Sequence, residues 1–278
     1  MMQLFHDVSM ECSKITTQRY STSFSSAITL LHKDLRKPIY NIYGFVRFAD
    51  EIVDTFKDHN KRCLLDEFKN ETFSAIERKI SLNPILHSFQ ITVNEFGIQH
   101  ELIEAFFKSM EWDLDKSCYT KDSYKEYIYG SAEVVGLMCL YIFCESDKHK
   151  FEKLKPYARS LGAAFQKVNF LRDVKSDFYD LDRTYFPQVD FNNFTASTKK
   201  QIEIEIQEDF TNAYKGILLL PVKARFGVYV AYKYYMTLFK KIRRTQANNI
   251  LHKRIRVPNY SKAFIVMRAG VKNQLKLI

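Results

Sequence analysis

Two stretches of this chain carry acidic side chains at a step of four beside an apolar stripe of helical period, and that double pattern calls for helices. In the first, Asp50 and Asp54 stand in Phe48-Ala-Asp-Glu-Ile-Val-Asp54, with Ile39, Ile42, Tyr43, Val46, Ala49 and Val53 forming the stripe. In the second, Asn169, Asp173 and Asp177 stand in Gln166-Lys-Val-Asn-Phe-Leu-Arg-Asp-Val-Lys-Ser-Asp177, with Leu161, Ala164, Phe165, Val168, Leu171 and Val174 beneath. Four residues turn an α-helix by about 400°, so each set stacks along one face, roughly 6 Å apart. Stacked carboxylates repel one another. A divalent cation removes that penalty, and Mg²⁺ prefers a few carboxylate oxygens plus substrate phosphates to an all-protein cage. Two such ladders facing a helical cavity suit a diphosphate held through several Mg²⁺ ions. That points to an enzyme.

A lone Asp-x-x-x-Asp is common on exposed helix faces, so the neighbours matter. Arg47 lies three residues before Asp50, where a guanidinium is well shaped to take diphosphate oxygens bidentately. Glu51 points about 100° away from Asp50 and is left outside the ligand set. Asn169 sits among Val168, Phe170 and Leu171, where a buried amide needs a partner. Tyr20, Ser21, Thr22 and Ser23 offer hydroxyls and amides at an expected helix start, a favourable place for an anion and equally a simple N-cap.

The rest of the chain reads as helical, with no series of alternating strands. Asp34 is the expected N-cap of the helix under the first ladder, which places Pro38 near its first turn. Asn83-Pro84, Phe96-Gly97 and Asp190 to Thr198 read as turns or loops. The fold class expected is all-α. At 278 residues, with 8 Gly, 6 Pro, no linker and no repeat, residues 1–278 are expected to form a single domain. The 23 Phe and 17 Tyr suit a long lipid pocket or a Phe-rich core.

Five cysteines, Cys12, Cys63, Cys118, Cys139 and Cys144, lack any Cys-x-x-Cys pair. That argues against a disulfide framework or zinc site and for a reducing cytoplasm. Met-Met-Gln-Leu-Phe-His-Asp at the start lacks a basic n-region before an apolar stretch, so no signal peptide is expected. The longest apolar run, Val134 to Cys144, falls short of the ~20 residues that a spanning helix needs. Charge is unevenly placed: from Phe210 onward there are 15 of the 42 Lys and Arg and none of the 32 Asp and Glu. A basic quarter of this kind, with Lys240, Lys241, Arg243 and Arg244 within it, attracts an anionic membrane surface or polyphosphates, or merely serves solubility. No nucleic-acid motif accompanies it. Neither metal-spaced histidines nor Gly-x-Gly-x-x-Gly occurs, and no nicotinamide cofactor is expected.

Taken with Leu35 to Asp54, Tyr129-Gly-Ser-Ala-Glu-Val-Val-Gly136, Leu161 to Asp177 and Arg183-Thr-Tyr-Phe-Pro187, these motifs resemble the squalene/phytoene synthase family from about Tyr20 to Arg256. The resemblance implies helices packed around a deep central cavity. It implies that Asp50, Asp54, Asn169, Asp173 and Asp177 hold Mg²⁺ (or Mn²⁺), with the four aspartates catalytic. It further implies that Tyr20, Ser21, Thr22, Ser23, Tyr43, Arg47, Gln166, Arg172, Tyr235 and Arg254 contact prenyl diphosphate. Ser176 departs from the family, which commonly has an acid there. The activity implied is phytoene synthase-like: two geranylgeranyl diphosphates join head to head through prephytoene diphosphate, in carotenoid biosynthesis. The enzyme would be cytoplasmic and peripheral on the inner membrane surface. Alternatives are a dehydrosqualene or squalene synthase using farnesyl diphosphate, or a membrane-associated assembly factor without catalysis. Oligomeric state is not readable from the sequence.

Overall fold

A computed structural model describes residues 2–275 apart from 116, 117, 180, 182, 188, 190 and 253, with the backbone alone at 192. Helices follow one another as α1 (Met2–Tyr20), α2 (Thr22–Ile28), α3 (Lys33–Asp54), α4 (Lys61–Arg78), α5 (Pro84–Phe96), α6 (His100–Asp115) and α7 (Lys121–Ile128). A π-helical turn, Tyr129–Glu133, leads into α8 (Val134–Phe143), and then come α9 (Lys148–Tyr179), α10 (Ala196–Leu219), α11 (Val222–Arg244), α12 (Ala247–His252) and α13 (Asn259–Gln274). Among the described residues there is no strand, only an isolated bridge between Cys118 and Thr184. The all-α expectation holds.

The acidic ladders lie on α3 and α9, the helices that their stripes predict. Two boundaries differ. Asp34 is not the N-cap of α3: that place falls to His32, at φ −56° and ψ 145° and without a side-chain cap, and Asp34 sits in the first turn. The chain enters earlier because the His32 N–H donates to the Lys223 carbonyl at 2.9 Å, which anchors the helix start to α11. Pro38 therefore lies beyond the first turn; the carbonyl it leaves without a helical donor belongs to Asp34, an exposed residue that water reaches. The loop expected from Asp190 to Thr198 also ends sooner. Phe191–Asn193 is a 3-10 turn, and α10 starts at Ala196 because Thr195 Oγ1 accepts from the Thr198 N–H at 3.2 Å. Asp190 itself lies outside the described residues. Asn83 caps α5 just before Pro84, and Gly97 ends it at a φ of 64°, a conformation glycine adopts without strain.

The buried side chains form one continuous cluster. At its centre the Phe45 ring stacks on Phe89 at 3.9 Å, with Phe106 at 5.3 Å and Phe107 at 5.6 Å. Such aromatic pairs add about 0.5–1.5 kcal/mol each beyond the area they bury. The π turn is clamped on both sides: a Cβ on Gly130 would meet the Ala105 carbonyl at 2.4 Å, and one on Gly162 would meet the Ala132 carbonyl at 2.7 Å. Glycine at these two positions lets α6, the turn and α9 approach closely, which fixes where the second ladder stands.

Candidate active site

One cavity of about 660 Å³ receives both ladders: Asp50 and Asp54 from α3, and Asn169, Asp173 and Asp177 from α9, all line it. Tyr20, Ser21, Tyr43, Arg47, Gln166, Arg172, Tyr235 and Arg254 line it as well. Thr22 and Ser23 do not. Ser21 is the N-cap of α2, its Oγ accepting from the Phe24 N–H at 3.1 Å. The helix then turns Thr22 outward, where its Oγ1 takes a hydrogen bond from Lys262 Nζ at 2.6 Å, and brings Phe24 to the cavity wall. Farther from the acids the lining is apolar, with Leu31, Leu140, Phe143, Ile217, Leu220 and Val228. Phe and Tyr side chains thus stand both in the core around Phe45 and on the cavity wall at Phe24, Phe165 and Tyr235.

Arginines compensate the carboxylates. Arg172 Nε donates to both Asp173 oxygens at 3.0 Å, and Arg254 Nε reaches Asp173 Oδ1 at 2.8 Å from the segment between α12 and α13. Arg47 pairs with Glu51, lies 3.9 Å from Asp50 and rests over the Tyr20 ring at 4.3 Å. Its Nε is buried with no hydrogen-bond partner. A buried donor left open at a cavity wall is costly unless an acceptor arrives. The Tyr235 hydroxyl donates to Asn169 Oδ1 at 3.3 Å, and Gln166 Nε2 donates to Ser131 Oγ at 3.2 Å. Ser176, where the family commonly has an acid, turns its Oγ back to the Asp173 carbonyl at 3.0 Å.

The compensation is incomplete. Burial, with the charge of Asp54 beside it, pushes the Asp50 carboxyl up to about 7. Burial and the charges of Asp173 and Asp54 push Asp177 up to about 8. Both shifts mean that a charged carboxylate is costly at the cavity wall without a counter-charge, a cost that a bound divalent cation would relieve. Among the described residues no group of three His, Cys, Asp or Glu side chains closes a metal site by itself. A hard divalent cation such as Mg²⁺ fits carboxylate and amide oxygens of this kind, and Asp50, Asp54, Asn169, Asp173 and Asp177 are the residues that would hold it together with ligand oxygens.

Two site residues escape a reading of the sequence ladder. Arg183, between α9 and α10, donates to Asp54 Oδ1 at 2.8 Å and to the Val53 carbonyl at 3.3 Å. Asp113 of α6 accepts from the Tyr127 hydroxyl at 2.9 and 2.8 Å and from the Tyr185 hydroxyl at 3.2 Å. Asp113 had a signal: it continues the apolar stripe of Ile103, Phe106 and Met110, where an acid signifies burial with partners.

Fold and site together define a helical protein with one cavity lined by two oxygen ladders, by arginines and by apolar side chains. A family model described as squalene/phytoene synthase matches residues 17–261, and the chain belongs to that family. It is 27% identical over 189 residues to a 4,4'-diapophytoene synthase of Staphylococcus haemolyticus, covering 66% of this chain and 64% of that protein. It is 26% identical over 266 residues to phytoene synthase 1, chloroplastic, of Solanum lycopersicum, covering 86% of this chain and 62% of that one. The chain thus spans somewhat under two thirds of the length of these relatives. A crystal structure of a dehydrosqualene synthase in complex with ligand superposes with a TM-score of 0.81 at 20% identity, covering 98% of each chain. Squalene synthase HpnC from Alicyclobacillus acidocaldarius superposes with a TM-score of 0.74 at 20% identity, covering 86% of this chain and 94% of that one. These two show the shared fold.

Proposed function

We propose that this chain joins two prenyl diphosphates head to head, with geranylgeranyl diphosphate as substrate and phytoene as product. The observation that carries the reading is the junction of both oxygen ladders and four arginines with an apolar cavity wall. Arg47, Arg172 and Arg254 bind the two diphosphates, which draws Arg172 and Arg254 from Asp173 and gives Arg47 Nε its acceptor. Asp50, Asp54, Asn169, Asp173 and Asp177 would hold Mg²⁺, which when bound would supply charge neutralisation to diphosphate. The apolar wall aligns the two chains and keeps water from the allylic cation that ionisation leaves. The double bond of the second chain attacks that cation and a proton is lost, giving the cyclopropylcarbinyl diphosphate. A second ionisation, rearrangement and proton loss gives the hydrocarbon. Phe24, Phe165 and Tyr235, with Phe165 and Tyr235 stacked at 3.9 Å, present ring faces that stabilise passing positive charge.

A C15 reading has its own support: one similar relative is a 4,4'-diapophytoene synthase. Purified protein with Mg²⁺ and a mixture of C15 and C20 diphosphates, followed by mass spectrometry of the extracted hydrocarbon, decides between them. A C40 product supports the proposal and a C30 product supports the second reading. If neither diphosphate is consumed, both readings fall.

A further inference from the structure

Helix α13 is apolar on two faces. Ile265, Val266 and Ala269 pack against the core, and α13 lies along α11. On its other side Tyr260, Phe264, Met267, Val271 and Leu275 are 78%, 59%, 62%, 52% and 64% exposed. Their steps of four, three, four and four keep them within one strip of helix surface. Five large apolar side chains in one exposed strip are unusual on a soluble surface and mark a binding face. Arg268 and Lys272 flank the strip, and with Lys240 they stand near enough to Lys233 of α11 that burial and their repulsion hold its ammonium below the usual range. No Asp or Glu occurs from Phe210 onward to neutralise them.

We propose that α13 docks this protein on an anionic lipid bilayer, its strip entering the interface while Arg268 and Lys272 face lipid phosphates. Among the described residues no helix is long and apolar enough to cross a membrane, so the helix lies in the surface plane. Charge selects the bilayer over a second copy of the chain: an isologous pair would bring the same uncompensated cations together, whereas anionic headgroups complement them. Position agrees, since Lys262 of α13 bonds Thr22, the neighbour of the cavity-lining Ser21. The proposal deepens the reading above, because an uncharged hydrocarbon product needs lipid to enter.

Its test is vesicle flotation of the full chain, read separately from turnover. Wild type should float with phosphatidylglycerol-containing vesicles at low salt and far less with phosphatidylcholine alone. Phe264→Ser/Met267→Ser/Val271→Ser should lower partition at least about tenfold. Arg268→Gln/Lys272→Gln should abolish the preference for anionic lipid. Consumption of diphosphates dispersed in detergent should stay within about twofold in both variants, because none of these residues lines the cavity. If wild type floats as expected but consumes no diphosphate, the reaction reading fails and the docking stands. No flotation at low salt, or equal flotation of wild type and the triple variant, overturns the docking. So does a wild-type dimer that the triple variant converts to monomer, which would make the strip a contact between copies. Should the triple variant lose helicity, Phe264→Ser replaces it alongside deuterium uptake of wild-type α13 with and without vesicles. Unchanged uptake would then overturn the proposal.

Discussion

Arg183 joins Asp54 to Asp113: its Nη1 lies 2.8 Å from Asp54 Oδ1 and 3.8 Å from Asp113 Oδ1. Asp113 is buried, Asp54 opens onto the cavity, and the guanidinium stands between them at 7% exposure. One side chain thus compensates both a core carboxylate and a ladder carboxylate. A cation bound at Asp54 would compete with Arg183, and the second ion pair to Asp113 would hold the guanidinium in place.

Loss of Arg183 should therefore act first on folding. Arg183→Met leaves Asp113 among Tyr127 and Tyr185 without a counter-charge, at a cost of about 3–5 kcal/mol. Burial pushes the Asp113 carboxyl up to about 7, against the pull of Arg183. A carboxyl raised in the folded state becomes easier to keep as pH falls through that value, so the cost should be larger at pH 8 than at pH 6. Adding Asp113→Asn should recover ~1–3 kcal/mol. Thermal melts of the double-mutant cycle check this, and strict additivity would remove the coupling.

The ladders should act on turnover and not on the fold. Asp50→Ala, Asp54→Ala, Asp173→Ala and Asp177→Ala are each expected to cut hydrocarbon formation by ~10²-fold or more with helicity intact. EDTA should abolish activity and added Mg²⁺ restore it, since the ion is held partly by substrate. Near-wild-type rates in any two variants at saturating Mg²⁺ would end the metal assignment.

Metal binding should depend on pH through Asp50 and Asp177, raised to about 7 and about 8. Below those values the folded, metal-free protein holds protons there that its unfolded chain, with ordinary carboxyls, has released. These groups therefore favour the metal-free fold as pH falls from about 8 toward 5, and their contribution is lost as pH rises. Mg²⁺ needs the deprotonated oxygens, so its binding with inorganic diphosphate should release protons. The rise in Tm that the pair produces should be larger at pH 8.5 than at pH 6. Calorimetry in buffers of different ionisation enthalpy counts the protons, and a result of zero at pH 6.5 contradicts the assignment.

How far the site was legible in the sequence follows from how its residues are brought together. Asp50 with Asp54, and Asn169 with Asp173 and Asp177, meet through a helix turn, so spacing places each set on one face, and neighbours such as Arg47 and Gln166 single it out from an ordinary polar face. Asp113 and Arg183 meet through tertiary packing of α6 against the segment after α9, and no local period announces that. Ser21 shows the limit of the motif reading: one residue of Ser21-Thr-Ser23 reaches the cavity because α2 starts there and rotates the other two away. His32 shows another, since its hydrogen bond to Lys223 is what displaces the start of α3 from Asp34.

Arg254 gives a prediction of opposite character to Arg183. It is 53% exposed while pairing with Asp173, so the ion pair contributes only about 0–1 kcal/mol to the free protein. Arg254→Gln should leave the Tm nearly unchanged and raise KM for the diphosphate by about tenfold or more, through loss of a charge-assisted contact. A lowered Tm with unchanged KM would make Arg254 structural.

Helix α11 lines the cavity at two depths, which makes it the place to test chain length. Tyr235 stands beside the second ladder through Asn169, and Val228 lies two turns earlier, about 10 Å along the axis at 1.5 Å per residue. Gly227 is a poor place for a larger residue, because a Cβ there would meet the Ala27 carbonyl at 2.9 Å as well as the Leu31 side chain, but Val228 faces the cavity and accepts a larger side chain at the expense of its volume. Val228→Phe should obstruct the far part of a long prenyl chain and leave the head-group contacts alone, since packed walls tolerate little overfilling. The expected outcome is a shift of kcat/KM toward the C15 diphosphate in a tube containing both C15 and C20, with total turnover retained on the shorter chain. An equal loss on both substrates would place Val228 on the path of every chain and leave length selection to another part of the wall.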